Sequence, residues 1–218
     1  MKHCLILLAI PIISLSAFSQ SMVSIFRMLP ANCTPDLDLK AKNILLKKGT
    51  YILPGGDSVE TVQYEIDTTH TDDYIYFGSS FTTGQNGFDE FQIRKFTRTN
   101  GKAFIIFSQY AGAKIEFSQR QLRLFNIENN KLIESKEPLL PKNLEIVDFL
   151  EKDIPDSIRQ SIISDASTSY DLDRNSKNAI GFRIFFYGGN DEYEKYLKGN
   201  VILFTWNGSS FIKKIVRD

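Results

Sequence analysis

The chain has 218 residues, with 26 basic and 26 acidic side chains, two histidines and two cysteines. Zero net charge provides no broad field for nucleic acid or an anionic membrane surface, so both partner classes are set aside. A chain of this length can bury roughly 70% of its unfolded surface and needs no covalent staple.

The first nineteen residues read as a signal peptide. Lys2 and His3 form a basic start, Cys4 to Leu15 is apolar, and Ala17-Phe18-Ser19 fits a small-x-small cleavage site. The apolar run is shorter than the ~20 residues a membrane span needs. Cleavage would leave a chain of residues 20–218, exported to the periplasm or the exterior, with no integral membrane segment. Cys33 would then be its one cysteine, expected as a small buried thiol.

Met22 to Leu29 is expected as a strand or a single helical turn. A helix should follow, with Thr34 as N-cap, Pro35 at the first position and Gly49 as the stop after Lys47-Lys48. From Tyr51 the period changes to two. Pro54-Gly55-Gly56-Asp57 makes a turn, and Val62, Tyr64 and Ile66 alternate with polar residues as a half-buried strand. A loop from Asp67 to Asp73 leads to a strand at Tyr74 to Phe77, and Ser79 to Gly87 reads as a polar loop.

The strongest local signal is Asn100-Gly101 between two strand-like runs, a hairpin pattern when both residues take φ > 0. A two-residue turn there sets Phe91 opposite Tyr110, Ile93 opposite Ser108 and Thr97 opposite Phe104. Phe91, Ile93, Phe104, Ile106 and Tyr110 then share one face, and Phe96, Ala103, Ile105 and Phe107 the other. Apolar residues on both faces predict a central hairpin covered above and below.

After a break at Ala111-Gly112-Ala113, Gln121 to Ile127 is a strand that turns at Asn129-Asn130 into Leu132-Ile133. Ser135 to Asn143, with two prolines, is the expected boundary if the chain forms two lobes, 20–135 and 143–218. Short helices are expected at Leu144 to Lys152 and Pro155 to Ala166, then an exposed loop at Ser167 to Lys177. Ile180 to Phe186 alternates as a strand, and Asp191 to Lys198 suits one or two helical turns. Val201 to Trp206 and Phe211 to Val216 flank a second Asn-Gly turn at Asn207-Gly208. The fold class is α+β: antiparallel β-meander sheets with about three packed helices.

Candidate chemistry is sparse. His70 with Asp72 and Asp73 offers hard metal ligands in a loop, at a spacing that matches no established metal signature and suits turn formation better. There is no G-x-S-x-G and no phosphate loop, and no cofactor is indicated. Asp89 and Glu90 are neighbours on opposite faces of a strand. Glu65, Glu116, Asp191 and Glu192 could pair only through the fold. Aromatic residues are plentiful, and Trp206, Tyr187 and Tyr76 are the candidate ligand-binding side chains, with Trp206 near a hairpin tip. A glycan or an envelope protein is the partner class such a surface suits.

The leader ending Ala17-Phe18-Ser19-Gln20, then Phe26-Arg27-Met28-Leu29-Pro30 before a Leu-rich helix, then Gly55-Gly56-Asp57-Ser58 and a β-meander, resembles an exported family of unknown function from Bacteroidota-type bacteria. The resemblance implies a cell-envelope or secreted location and carries over no site residue. The expected function is a non-catalytic binding or accessory protein of the envelope. The alternative is a secreted hydrolase of glycans or envelope polymers working through paired carboxylates. A third reading, an enzyme inhibitor, would use Ser79 to Gly87 as a protruding loop.

Overall fold

The computed structural model describes residues 20–54, 61–67, 72–83, 88–112, 118–141, 143–172, 178–186 and 191–217. The leader, the Gly55-Gly56-Asp57-Ser58 turn, His70, Glu116 and Tyr187 lie outside these residues. Two antiparallel meanders make up the fold. The first sheet has seven strands in sequence order: β1 (Thr50–Ile52), β2 (Val62–Ile66), β3 (Tyr74–Phe81), β4 (Phe88–Thr97), β5 (Ala103–Gly112), β6 (Ser118–Glu128) and β7 (Lys131–Glu134). The second has four: β8 (Ala166–Asp171), β9 (Ala179–Phe186), β10 (Val201–Trp206) and β11 (Phe211–Val216). Three α-helices accompany them among the described residues, α1 (Met22–Met28), α2 (Leu39–Lys48) and α3 (Asp156–Asp165).

The expected α+β class holds. So does the double burial of the central hairpin. On one face of the seven-stranded sheet, Phe77, Phe91, Ile93, Ile105, Phe107 and Phe125 pack under α1 and α2 through Ile25, Phe26 and Leu45. On the other, Phe96, Phe104 and Ile106 share a core with Tyr170, Phe182, Phe204 and Trp206 of the second sheet and Ile162 of α3. Residues 135–141 run between the two meanders.

The hairpin register differs from the expectation by one residue. Phe91 pairs with Gln109, Ile93 with Phe107 and Phe96 with Phe104. Gly101 takes φ 77° while Asn100 stays out of the left-handed region, so the loop has three residues: a type I turn closed by a left-handed glycine. Gly101 N–H bonds the Arg98 carbonyl at 2.9 Å and Lys102 N–H bonds Asn100 Oδ1 at 3.0 Å. One residue of slip moves every β5 side chain to the opposite face. Phe104 and Ile106 therefore lie with Phe96, and Ile105 and Phe107 with Phe91 and Ile93.

Other boundaries move for identifiable reasons. Met22–Met28 is helical because the Ser21 hydroxyl accepts from Ser24 N–H. Helix α2 begins a turn later than expected, with Asp38 as cap to Ala41 N–H at 2.7 Å. Thr34 instead closes a turn, its carbonyl accepting from Leu37 N–H. Gly49 ends the helix at φ 78°, as expected. Ser79, Ser80 and Phe81 continue β3 rather than opening a loop, paired with Val62–Tyr64 and Phe88–Asp89. Leu144 to Lys152 contains only a short 3-10 turn at Ile146–Phe149.

The largest departure is β8. Its polar sequence suggested an exposed loop, yet Tyr170 and Leu172 are buried and Ala166 to Asp171 pairs fully with β9. Thr168 and Tyr170 favour the strand, and Asp171 is bonded by Gln92 of the first sheet and Arg183 of the neighbouring strand.

Candidate functional site

Two hollows lie on the face of the seven-stranded sheet turned toward the second sheet. The larger is a groove of about 680 Å³. Its floor comes from alternate residues of neighbouring strands: Ile106 on β5 and Leu122 and Leu124 on β6, with Ile106 directly opposite Leu124. Tyr170 and Phe182 form the facing wall, and Leu139 and Leu140 of the 135–141 strap lie over it.

The strap is held at three points. Ser135 N–H bonds the Leu124 carbonyl at 2.8 Å, Glu137 meets Arg98 at 2.7 Å, and the Tyr170 hydroxyl donates to the Pro141 carbonyl at 2.8 Å. At depth, the Gln119 amide donates to Ser108 Oγ (2.7 Å) and to the Tyr170 carbonyl (3.3 Å). It also accepts from Tyr170 N–H at 3.2 Å. Gln119 thus acts as a substitute peptide along the free edge of β8. Gln92 accepts from the next edge group, Leu172 N–H, at 2.8 Å and donates to the Asp171 carboxylate at 3.3 Å. Buried backbone groups need such partners, and here a neighbouring sheet supplies them through side chains.

The smaller hollow, about 380 Å³, is acidic and is lined by Glu65, Asp67, Tyr76, Gly78, Ser80 and Glu90, among others. Glu65 pairs with Gly78, and Gly78 pairs with Glu90, so the two glutamates flank a glycine at one level of three adjacent strands. Two strand spacings put their backbones roughly 9–10 Å apart, with no side chain between. Burial holds the Glu90 carboxyl above the ordinary carboxylate range. A hydrogen bond from Tyr76 opposes that shift and the nearby Asp171 charge adds to it. Burial, then Glu90, pushes the Tyr76 phenol up in turn.

The side chains singled out from the sequence are scattered. Tyr76 enters the acidic hollow. Trp206 is only 5% exposed: its ring sits 4.9 Å from Phe104 and 5.0 Å from Phe211, and its Nε1–H donates to the Thr97 carbonyl at 2.8 Å. It is buried because the two Asn-Gly hairpins dock tip to tip, Thr99 N–H bonding the Gly208 carbonyl at 3.0 Å. Gly208 has φ 99°, and a Cβ there would come within 2.8 Å of the Thr99 side chain. Asp72 and Asp73 stand at the start of β3, where the Asp73 carbonyl accepts from Lys95 N–H. Among the described residues no three His, Cys, Asp or Glu side chains are grouped to hold a metal ion.

Cys33 is fully buried, with Arg123 Nη1 3.1 Å from its sulfur and burial pushing the thiol up. Of the carboxylates, Glu65 and Glu90 line one hollow, on strands either side of a glycine that no spacing argument would mark. The groove also went unread, because half its walls come from the strap and from β8.

No protein-family model matches the chain, and no curated protein matches it. A solved structure is similar: a domain of an uncharacterized protein from Porphyromonas gingivalis, with a TM-score of 0.59 and 12% sequence identity. The match covers 89% of this chain and 98% of that one. It establishes a shared fold, in a Bacteroidota organism, and nothing about ligands. No described helix is long and apolar enough to cross a membrane.

Proposed function

We propose that this chain is a non-catalytic binding protein of the cell envelope, exported by its leader, with its ligand seated in the groove beneath the 135–141 strap. The observation that carries the reading is the groove itself. A volume of about 680 Å³ lies within the usual range for small-molecule sites, and apolar side chains with a few fixed polar groups are their usual lining.

Thermal unfolding against a panel of lipids, glycans and peptidoglycan fragments tests it. A ligand at a hundred times its dissociation constant stabilises by about 2.7 kcal/mol, a shift of roughly 5–10 °C for a domain of this size. Leu139→Asp, on the half-buried strap, should abolish that shift while moving the unliganded midpoint little. No shift from any member, at millimolar concentration, would sink the reading.

A second reading, hydrolysis of a glycan or envelope polymer, is favoured by Glu90. A carboxyl whose proton affinity is raised by burial, one strand away from a second glutamate across a glycine in the same hollow, is the kind of pair a glycosidase uses as acid and base. Release of reducing ends, abolished separately by Glu90→Gln and Glu65→Gln, would support it. Absence of turnover across a broad polymer panel would remove it.

A further inference from the structure

We infer that the groove takes an anionic amphiphile, an acyl chain ending in a carboxylate or phosphate, with the head held at the mouth by Lys136; this rests on the groove being the binding site.

The inside of the groove supports an apolar body. Ile106, Leu122, Leu124, Leu139, Leu140 and Phe182 line it, and the polar groups at depth are already engaged. Gln119 bonds Ser108 and both backbone groups of Tyr170, while the Tyr170 hydroxyl is committed to Pro141. A polyhydroxylated ligand would have to break these bonds or leave its own hydroxyls unpaired, at a cost of about 1–3 kcal/mol per buried group. A hydrocarbon asks nothing of them. The ligand's polar end therefore belongs at the mouth.

Four ionic side chains line the groove, Arg123, Glu134, Lys136 and Glu137, and all but Lys136 are held in an ion pair. Arg123 bonds Glu134 from the opposite face of the sheet, beside Cys33, and holds its carboxyl below the ordinary range. Arg98 pairs with Glu137 at 2.7 Å. Lys136 lies between Glu134 and Glu137 in sequence, is exposed, and makes no ion pair among the described residues. Beyond the two ion pairs the mouth carries the Lys136 charge, which also acts on the Glu134 carboxylate, and a positive charge there favours a negative head. It is solvated, so its contribution is modest and salt-dependent.

The test uses displacement of a fluorescent fatty acid from the purified protein by four twelve-carbon amphiphiles, each below its micelle concentration. Dodecanoate and dodecyl phosphate should displace the probe about fivefold more tightly than dodecyl glucoside, with dodecyltrimethylammonium weakest. Their order distinguishes a free fatty acid from a phospholipid-type head. Raising salt from about 0.05 to about 0.5 M should shrink the gap. Lys136→Gln should close it while leaving dodecyl glucoside unchanged.

Equal binding of glucoside and dodecanoate, or a gap that survives in Lys136→Gln, would overturn the anionic head and leave the groove standing. Binding that persists in Leu139→Asp would place the ligand elsewhere. Failure of every amphiphile to bind would remove the groove reading with the inference built on it.

Discussion

The two faces of the seven-stranded sheet are built on different terms. Under α1 and α2 the packing is aromatic and dry: Phe77 stacks on Phe91 at 4.5 Å and meets Phe26 edge-on at 5.0 Å. Toward the second sheet, the hairpin-tip end is equally apolar, with Phe96, Phe104, Trp206 and Phe211 in mutual contact. The far end of that face carries Glu90, Gln92, Arg94, Ser108 and Gln119 against Tyr170 and Asp171. Arg94 is 1% exposed, its guanidinium 5.2 Å from the centre of the Tyr74 ring.

The contrast has a backbone origin. A helix satisfies its own peptide groups, so only its side chains need partners. Strand β8 presents an edge to the sheet it packs on, and an edge demands donors and acceptors. Two glutamines meet that demand. Glu90 answers no such demand, which is why it stands out.

Deleting an aromatic ring from the dry face tests the contrast most strongly. Phe77→Ala removes a fully buried ring with two aromatic neighbours and should destabilise by about 3–5 kcal/mol, lowering the melting point by roughly 6–20 °C. The same deletion at half-buried Leu122, on the groove floor, should cost well under half as much. Equal losses in calorimetry would mean that the groove is filled and that the two faces do not differ. On the polar face, Gln92→Ala strands the buried Leu172 N–H and should cost about 1–3 kcal/mol. A urea midpoint unchanged by Gln92→Ala would show that the β8 edge does not depend on the glutamine amides.

How far this was legible in the sequence varies by element. Strands β10 and β11 have the bounds their sequence suggests, because a turn signal separates two β-rich runs of equal length. The register of β4 and β5 was one residue off because Asn100-Gly101 fits two turns, and the choice rests on the φ of Asn100. Asn129 and Asn130 are the pair that both take left-handed values, φ 49° and 58°. Strand β8 hid because the backbone groups along its edge are satisfied by Gln92 and Gln119, about fifty to eighty positions distant in sequence. The acidic hollow hid for a similar reason. Glu65 and Glu90 stand on strands either side of Gly78, and an arrangement of that kind is written in sheet order rather than local pattern.

The smallest expected effect bears on whether the polar end of the face is more than structural. Burial makes Glu90 hold its proton to higher pH when folded than when unfolded. In the window from the ordinary carboxylate value, about 4.3, up to the raised one, the folded state binds more protons, so stability falls as pH rises. Above that window the buried charge is a standing cost. Glu90→Gln keeps an acceptor for the Tyr76 hydroxyl and removes the charge. Its urea midpoint should exceed that of the native chain at pH 7, and the difference should fade below about pH 4. A variant less stable than native at pH 7 would mean that the ionised form is the one the fold supports. A variant more stable at pH 7 yet inactive in a polymer-cleavage assay would identify Glu90 as a residue kept for chemistry at the expense of stability, as active-site carboxylates commonly are.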